Sequence, residues 1–407
     1  MNPYSLVMKK SVKAIVVAAI FSTLTNIAHA DTLKQVFEQA WLNSTQGRTA
    51  KAKLDEVTAS KNVAGALFPG SPQFELSNLN DVLVRNRGEQ ETNVGLSVPL
   101  WLPGQKAARL GVAESEVKEN QLSIAAARLA LAGELRAAIW AVYLSKSESE
   151  ILAQRLETAE KLESDIAKRL KVGDVARTDL LLAKQETVNA RIAIADAKSR
   201  LVSNMQRYKV LTHSENLPEN PQETAVTISD GIPHPLLAAG QASSELAQAQ
   251  LSLAQQSRRD APTVGVLYRN QRDSSNTSSR DTLGLALTIP FVSEVRNAPL
   301  LAKANTALVE ADARNQRMMA EIKANQRDAE ARLVSAQTNA QLSVELEQMT
   351  SERLSLMQRS YQLGETALVE LIRTQSQATE ARIELARSSV LLFAAQANIN
   401  QARGIMP

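Results

Sequence analysis

The sequence predicts a mainly α chain with a small β part. Long antiparallel helices, packed as a coiled-coil barrel wall, continue into a transmembrane β-barrel to which each chain gives four strands. Three observations lead there. One pattern occurs twice, about 191 positions apart, with Pro99 matched by Pro290 and Gly173 by Gly364. Two proline-free stretches, each of about 65 residues or more, separate the matched positions. Two pairs of short alternating segments precede those stretches. A period of that length excludes solenoid repeats, which run roughly 20–50 residues.

Residues 1–30 read as an export signal. Lys9, Lys10 and Lys13 form its positive end, Ala14 to Phe21 its apolar run, and Ala28-His29-Ala30 its small-residue cleavage site. A first repeat spans 31–216, a linker 217–235 and a second repeat 236–407. Asp31 to Ala66 reads as one helix with Asp31 or Thr32 as N-cap, ended by Pro69 and Gly70. Strands are expected at Gln73–Leu79 and Thr92–Leu100, where Val94, Leu96, Val98 and Leu100 alternate with small or polar residues. A helix from Gly104 to Val172 is about 100 Å long at about 1.5 Å per residue. Gly173 breaks it, and a second helix continues from Asp174 to Thr212. After the prolines of the linker, the order repeats. A helix covers Pro235–Ser257, strands cover Pro262–Arg269 and Thr282–Phe291, and helices run Leu300–Leu363 and Glu365–Arg403. In the first half the two shorter helices together match the longer one, as a wall two helices wide requires. The matched apolar positions Leu181, Val188, Ile192, Ala195 and Val202 and Ile372, Thr379, Ile383, Ala386 and Phe393 step at coiled-coil spacing.

Composition narrows the function classes. The full chain has 46 basic and 43 acidic side chains; loss of the three signal lysines leaves it balanced. No basic face of the kind that binds nucleic acid stands out. There is no cysteine, hence no disulfide framework, lipid-bearing cysteine or thiolate metal site. Aromatics make up 3% of residues, too few for a large globular core but suited to alanine-rich helices at close distance. No catalytic triad, phosphate-cradling glycine loop or metal-ligand set is visible, and no cofactor is implied. His213 and His234 flank the linker as loop residues, and Met318-Met319 do not share a helix face.

The strands raise a closure problem. Each has about the 9–11 residues that a tilted strand needs to cross a hydrocarbon layer. Leu283, Leu285, Leu287, Ile289 and Phe291 form an apolar face opposite Gly284, Ala286 and Thr288. A membrane barrel shows that alternation, and so does a soluble sandwich. In lipid, four strands do not close, since barrels begin at about eight. Unpaired edges there cost several kcal/mol per group, so sister copies must share one barrel, with eight, twelve or more strands.

Two sets of residues carry a family resemblance. One is the strand endings Gly95-Leu96-Ser97-Val98-Pro99-Leu100 and Gly284-Leu285-Ala286-Leu287-Thr288-Ile289-Pro290-Phe291. The other is the helix breaks Val172-Gly173-Asp174-Val175-Ala176-Arg177-Thr178-Asp179-Leu180-Leu181 and Tyr361-Gln362-Leu363-Gly364-Glu365-Thr366-Ala367-Leu368-Val369-Glu370-Leu371. Over essentially the whole chain after the signal, the sequence resembles the TolC-type outer-membrane efflux proteins. The resemblance implies a homotrimer with a 12-stranded barrel in outer-membrane lipid and a helical tunnel in the periplasm. It also implies a periplasmic adaptor (membrane fusion protein) and an inner-membrane transporter of the resistance-nodulation-division type as partners. Val172, Gly173, Asp174, Arg177, Thr178, Leu363, Gly364, Glu365 and Thr366 then form adaptor-docking tips. Glu370, Arg373 and Asp179 fall at the pore constriction, with Arg373 where a second acid is expected, so that an i,i+3 pair neutralises itself. Trp101-Leu102-Pro103-Gly104 is similar to members that serve heavy-metal exporters. The substrate class implied is metal cations or small toxic compounds. The alternative open to the residues alone is a soluble periplasmic coiled-coil adaptor or spacer protein.

Overall fold

Helix starts and stops fall where caps dictate. The computed structural model describes residues 32–224, 226 and 233–407. The expected export signal, the N-cap candidate Asp31 and the middle of the expected linker lie outside the described residues. Thr32 opens α1 (Leu33–Asn43) with a reciprocal capping box to Gln35. The single helix expected to Ala66 is in fact two. Ser44 leaves the helical region at ψ 152°, donates its hydroxyl to the Trp41 carbonyl and accepts the Gly47 N–H at the start of α2 (Thr45–Ala64). A Cβ on Gly47 would lie 1.8 Å from the Trp41 oxygen, so the bend requires glycine there.

Then follow β1 (Gln73–Asn80), β2 (Gln90–Pro99), α3 (Gln105–Lys171) and α4 (Arg177–Thr212). The second half gives α5 (Pro235–Gln256), β3 (Thr263–Arg272), β4 (Arg280–Thr288), α6 (Glu294–Gln362) and α7 (Leu368–Ala402). Several boundaries differ from expectation: β3 extends past Arg269 to Arg272, and α4 and α7 begin at Arg177 and Leu368 rather than at Asp174 and Glu365. β4 ends at Thr288, short of Phe291, because Pro290 has no N–H for a ladder. α6 begins at Glu294, before Leu300, and carries Pro299 in its second turn. Its start is held by an ion pair from Arg296 to Asp260 and by the Asn297 amide on the Arg258 carbonyl.

The strands form one antiparallel sheet in the order β1-β2-β3-β4. Register places Phe74, Leu96, Val266 and Leu285 in one row and Leu76, Val94, Tyr268 and Leu283 in the next. That face is exposed, with Leu285 85% accessible. The opposite face is polar or small apart from Leu79 and Leu267: Ser77, Asn93, Arg269 and Thr282 share a row, and Arg269 pairs with Glu91 at 3.1 Å.

Each strand continues into one helical column. The columns lie in the order α2 with α4, then α3, then α5 with α7, then α6. Midway along, α1 packs on α3 and α4 through Phe37, Trp41, Leu135, Ile139 and Tyr208. Here Arg136, 1% exposed, is gripped by Glu223 (2.7 and 2.6 Å), the Gln401 side chain (2.6 Å) and the Ile405 carbonyl (3.1 Å). A buried guanidinium needs such saturation. It fastens the segment after α4 and the end of α7 onto α3.

Candidate functional site

The two far ends of the helical columns have the same construction. α3 stops at Val172, and Gly173 takes φ +82°. The Asp174 N–H then reaches the Arg169 carbonyl and the Gly173 N–H the Leu170 carbonyl, both at 3.0 Å. α6 stops at Leu363, Gly364 takes φ +78°, and Glu365 and Gly364 bond the Ser360 and Tyr361 carbonyls, again at 3.0 Å. Both are Schellman stops, which need a left-handed residue at this position. No heavy atom lies within 4 Å of a Cβ built on either glycine. The requirement is thus conformational, not steric.

The turns bring the expected tip residues to the surface. Val172, Gly173, Asp174, Arg177 and Thr178 are exposed, as are Leu363, Gly364 and Glu365, and Thr366 is half-buried. The Ser360 and Thr366 hydroxyls share a hydrogen bond at 2.5 Å. Behind the turns, Ile166, Ala183, Leu368, Leu371 and Ile372, with the partly buried Met357 and Tyr361 of α6, join four helices in one apolar cluster. Arg169 lies over the Tyr361 ring at 5.7 Å and pairs with Asp165 at 3.2 Å, so one tip leans on the other. Burial raises the Tyr361 phenol above its ordinary range; Arg169 opposes the shift, and Asp165, Asp179 and Asp174 add to it. The Arg169–Tyr361 contact was not legible beforehand, because the two residues do not occupy matched positions in the repeats.

The three expected constriction residues have separate environments. Asp179 is half-buried and accepts the Ala176 N–H at 3.3 Å, which caps its own helix. Glu370, its counterpart in the first turn of α7, is half-buried, and Arg373 is exposed. The expected ion pair between Glu370 and Arg373 is not formed among the described residues. Leu371, Ile372 and Thr374 take the buried face of α7, which turns Arg373 toward solvent.

The second constellation is a pair of unfinished edges. β1 and the α2/α4 column border one side of the chain; β4 and α6 border the other. Both borders are apolar. Leu181, Val188, Ile192, Val202 and Val210 stand exposed along α4. Leu342, Met349, Leu356 and Leu363 stand exposed along α6 at steps of seven. The chain thus leaves an exposed apolar strip on each of its two borders, along α4 on one and along α6 on the other. Among the described residues, no helix is long and apolar enough to cross a membrane, and no cluster of three or more His, Cys, Asp or Glu could hold a metal ion.

Comparison with known proteins agrees with this architecture. Structures of outer-membrane channels share the fold over nearly the whole chain at low identity. The Campylobacter jejuni CmeC channel aligns with a TM-score of 0.74 at 15% identity, over 91% of this chain and 85% of its own. CusC aligns at 0.76 and 15%, over 92% of each chain. VceC of Vibrio cholerae aligns at 0.74 and 16%, over 92% and 96%. In sequence, the cobalt-zinc-cadmium resistance protein CzcC of Cupriavidus metallidurans is 22% identical over 231 residues. That alignment spans 54% of this chain and 54% of CzcC, about half the length of each. The model of the outer membrane efflux protein family matches residues 36–211. In sequence, those residues, less than half of the chain, resemble the outer membrane efflux proteins.

Proposed function

We propose that the chain is the outer-membrane duct of a tripartite efflux system, conducting passively what an inner-membrane pump delivers through a periplasmic adaptor. The observation that carries this is the pair of unfinished borders. A four-stranded sheet with a solvent-exposed apolar face and two free edges has no stable state alone in water or in lipid. Side by side, copies close both the sheet and the helical columns. Twelve strands from three copies make a barrel with an open bore, and the polar face of Ser77, Asn93 and Arg269 then lines it. A soluble adaptor or spacer leaves that apolar sheet face in water, which disfavours the alternative.

The tips at Gly173 and Gly364 serve as the adaptor-docking end, and the pump behind the adaptor is of the resistance-nodulation-division type. Asp179, Glu370 and Arg373 ring the bore just inside the tips. CzcC is named for cobalt, zinc and cadmium resistance, which favours metal cations as cargo. The test is threefold. Detergent-solubilised protein should have the mass of three chains, and planar bilayers should show discrete conductance. Arg373→Asp should raise cation preference in single-channel recordings. A detergent-free soluble monomer with a folded sheet defeats the duct reading, and unmoved selectivity removes Arg373 from the bore.

A further inference from the structure

The two tips share a backbone but not a charge. At the α3–α4 tip, Lys168, Lys171 and Arg177 are exposed and, among the described residues, make no ion pair. Of the nearby acids, Asp165 pairs with Arg169, while Asp179 accepts the Ala176 N–H and keeps its charge. Asp174 and Asp179 together leave the three cations in excess by one. At the α6–α7 tip the matched positions are Arg359, Gln362 and Leu368, with Glu365 opposite Asp174.

Helix chemistry accounts for part of this and fails for the rest. Cations in the last turn of α3 suit the negative end of its dipole. Yet the same Schellman stop on α6 manages with Arg359 alone. Arg177 sits at the first residue of α4, the positive end, where a cation is disfavoured. Its counterpart Leu368 is buried in the apolar cluster behind the turns. The first tip thus gives up a buried leucine for a cation at the wrong helix end, close to two further cations of α3. Local stability does not explain that exchange, and an incoming anion does.

We infer that the α3–α4 tip seats an acidic segment of its docking partner, while the α6–α7 tip does not select for charge. This rests on the duct reading, in which the tips meet a periplasmic adaptor. The exposed Val172 supplies an apolar contact at the centre of the cationic turn, and the cations steer and orient the partner around it. Docking positions around the ring then alternate in charge preference. A partner whose turn carries carboxylates occupies alternate sites first.

Two synthetic helical-hairpin peptides, identical except for three glutamates or three lysines in the turn, serve as probes on the full chain in lipid nanodiscs. The acidic hairpin should bind about tenfold more tightly at low salt, and the gap should shrink as salt rises. Lys168→Glu, Lys171→Glu and Arg177→Glu together should reverse the preference. The three corresponding glutamine changes should abolish it, which keeps the test sound if the reversal disturbs assembly. Absence of preference, or an equal response to Arg359→Glu, overturns the inference. Bilayer conductance is read on the same samples. Its loss in the unaltered protein strikes the duct reading instead.

Discussion

α3 and α6 are matched copies with the same kind of stop, yet α3 buries fifteen residues and α6 five. Position causes the difference. α3 lies between two columns, whereas α6 borders the chain and leaves its apolar stripe at Leu342, Met349 and Leu356 exposed. A duplicated sequence therefore does not give duplicated environments. Matched residues of the same type provide the sharpest probes of this.

Arg136 and Arg327 are such a pair. Arg136 is saturated by Glu223, Gln401 and Ile405; Arg327 is exposed. Arg136→Met leaves the Glu223 carboxylate buried without its partner and should cost about 3–5 kcal/mol. Arg327→Met should fall within about 0.5 kcal/mol of neutral. Denaturant melts at fixed protomer concentration decide it, and equal losses end the argument that position sets the role. Pairing Arg136→Met with Glu223→Leu should recover most of the stability.

The glycines rank next. Gly404 ends α7 at φ +79°, and a Cβ there meets the Pro235 Cδ at 2.6 Å and the His234 ring at 2.8 Å. Gly173 and Gly364 have the same φ range and open space. Gly404→Ala should cost about 2–3 kcal/mol, from strain plus crowding. Gly173→Ala and Gly364→Ala should each cost about 1–2 kcal/mol, from strain alone. Asparagine should be tolerated best at the two tips. Equal losses at all three would refute the steric distinction.

What the sequence disclosed follows the same division. The helix stops at Gly173 and Gly364, the alternating strands and the column lengths were legible because local chemistry fixes them. The bend at Ser44 was readable in principle from Ser44-Thr45-Gln46-Gly47, a cap signal inside an otherwise helical run. The grip on Arg136 was not, since its partners lie far along the chain and Arg327 gives the same letter in a solvated setting. The i,i+3 pairing of Glu370 with Arg373 failed because spacing sets proximity but packing of Leu371 and Ile372 sets direction. Arg177, at the start of α4, gained meaning only when its counterpart Leu368 proved to be buried.

A smaller effect separates the ends of α4 and α7. Gly404 is matched by His213, which ends α4 at φ +57°, a region that side chains enter at a cost. His213→Gly should therefore stabilise the protein by about 1 kcal/mol, the left-handed strain partly offset by the freedom glycine gains when unfolded. A neutral or destabilising change would show that the imidazole makes a compensating contribution.

The smallest contrast lies at the starts of the shorter helices. Ser44 caps α2 with a hydroxyl that does not titrate near neutrality; His234 caps α5 by accepting the Leu236 N–H at Nδ1, 3.3 Å away. Burial pushes the His234 imidazole below its ordinary range, and a hydrogen bond with the Ala402 backbone works the other way. Asp328 and Arg332 line the same recess and pair with each other at 2.8 Å. A proton on Nδ1 removes the acceptor and ends the cap. With the folded value lowered, the contribution is complete above about pH 6.5 and is lost as pH falls through that lower value. The melting temperature should drop further between pH 7 and pH 5 in the native protein than in His234→Asn, whose amide oxygen accepts at every pH. Parallel slopes for the two would mean that the cap does not titrate, and the α5 start would then be as insensitive to acid as the Ser44 start.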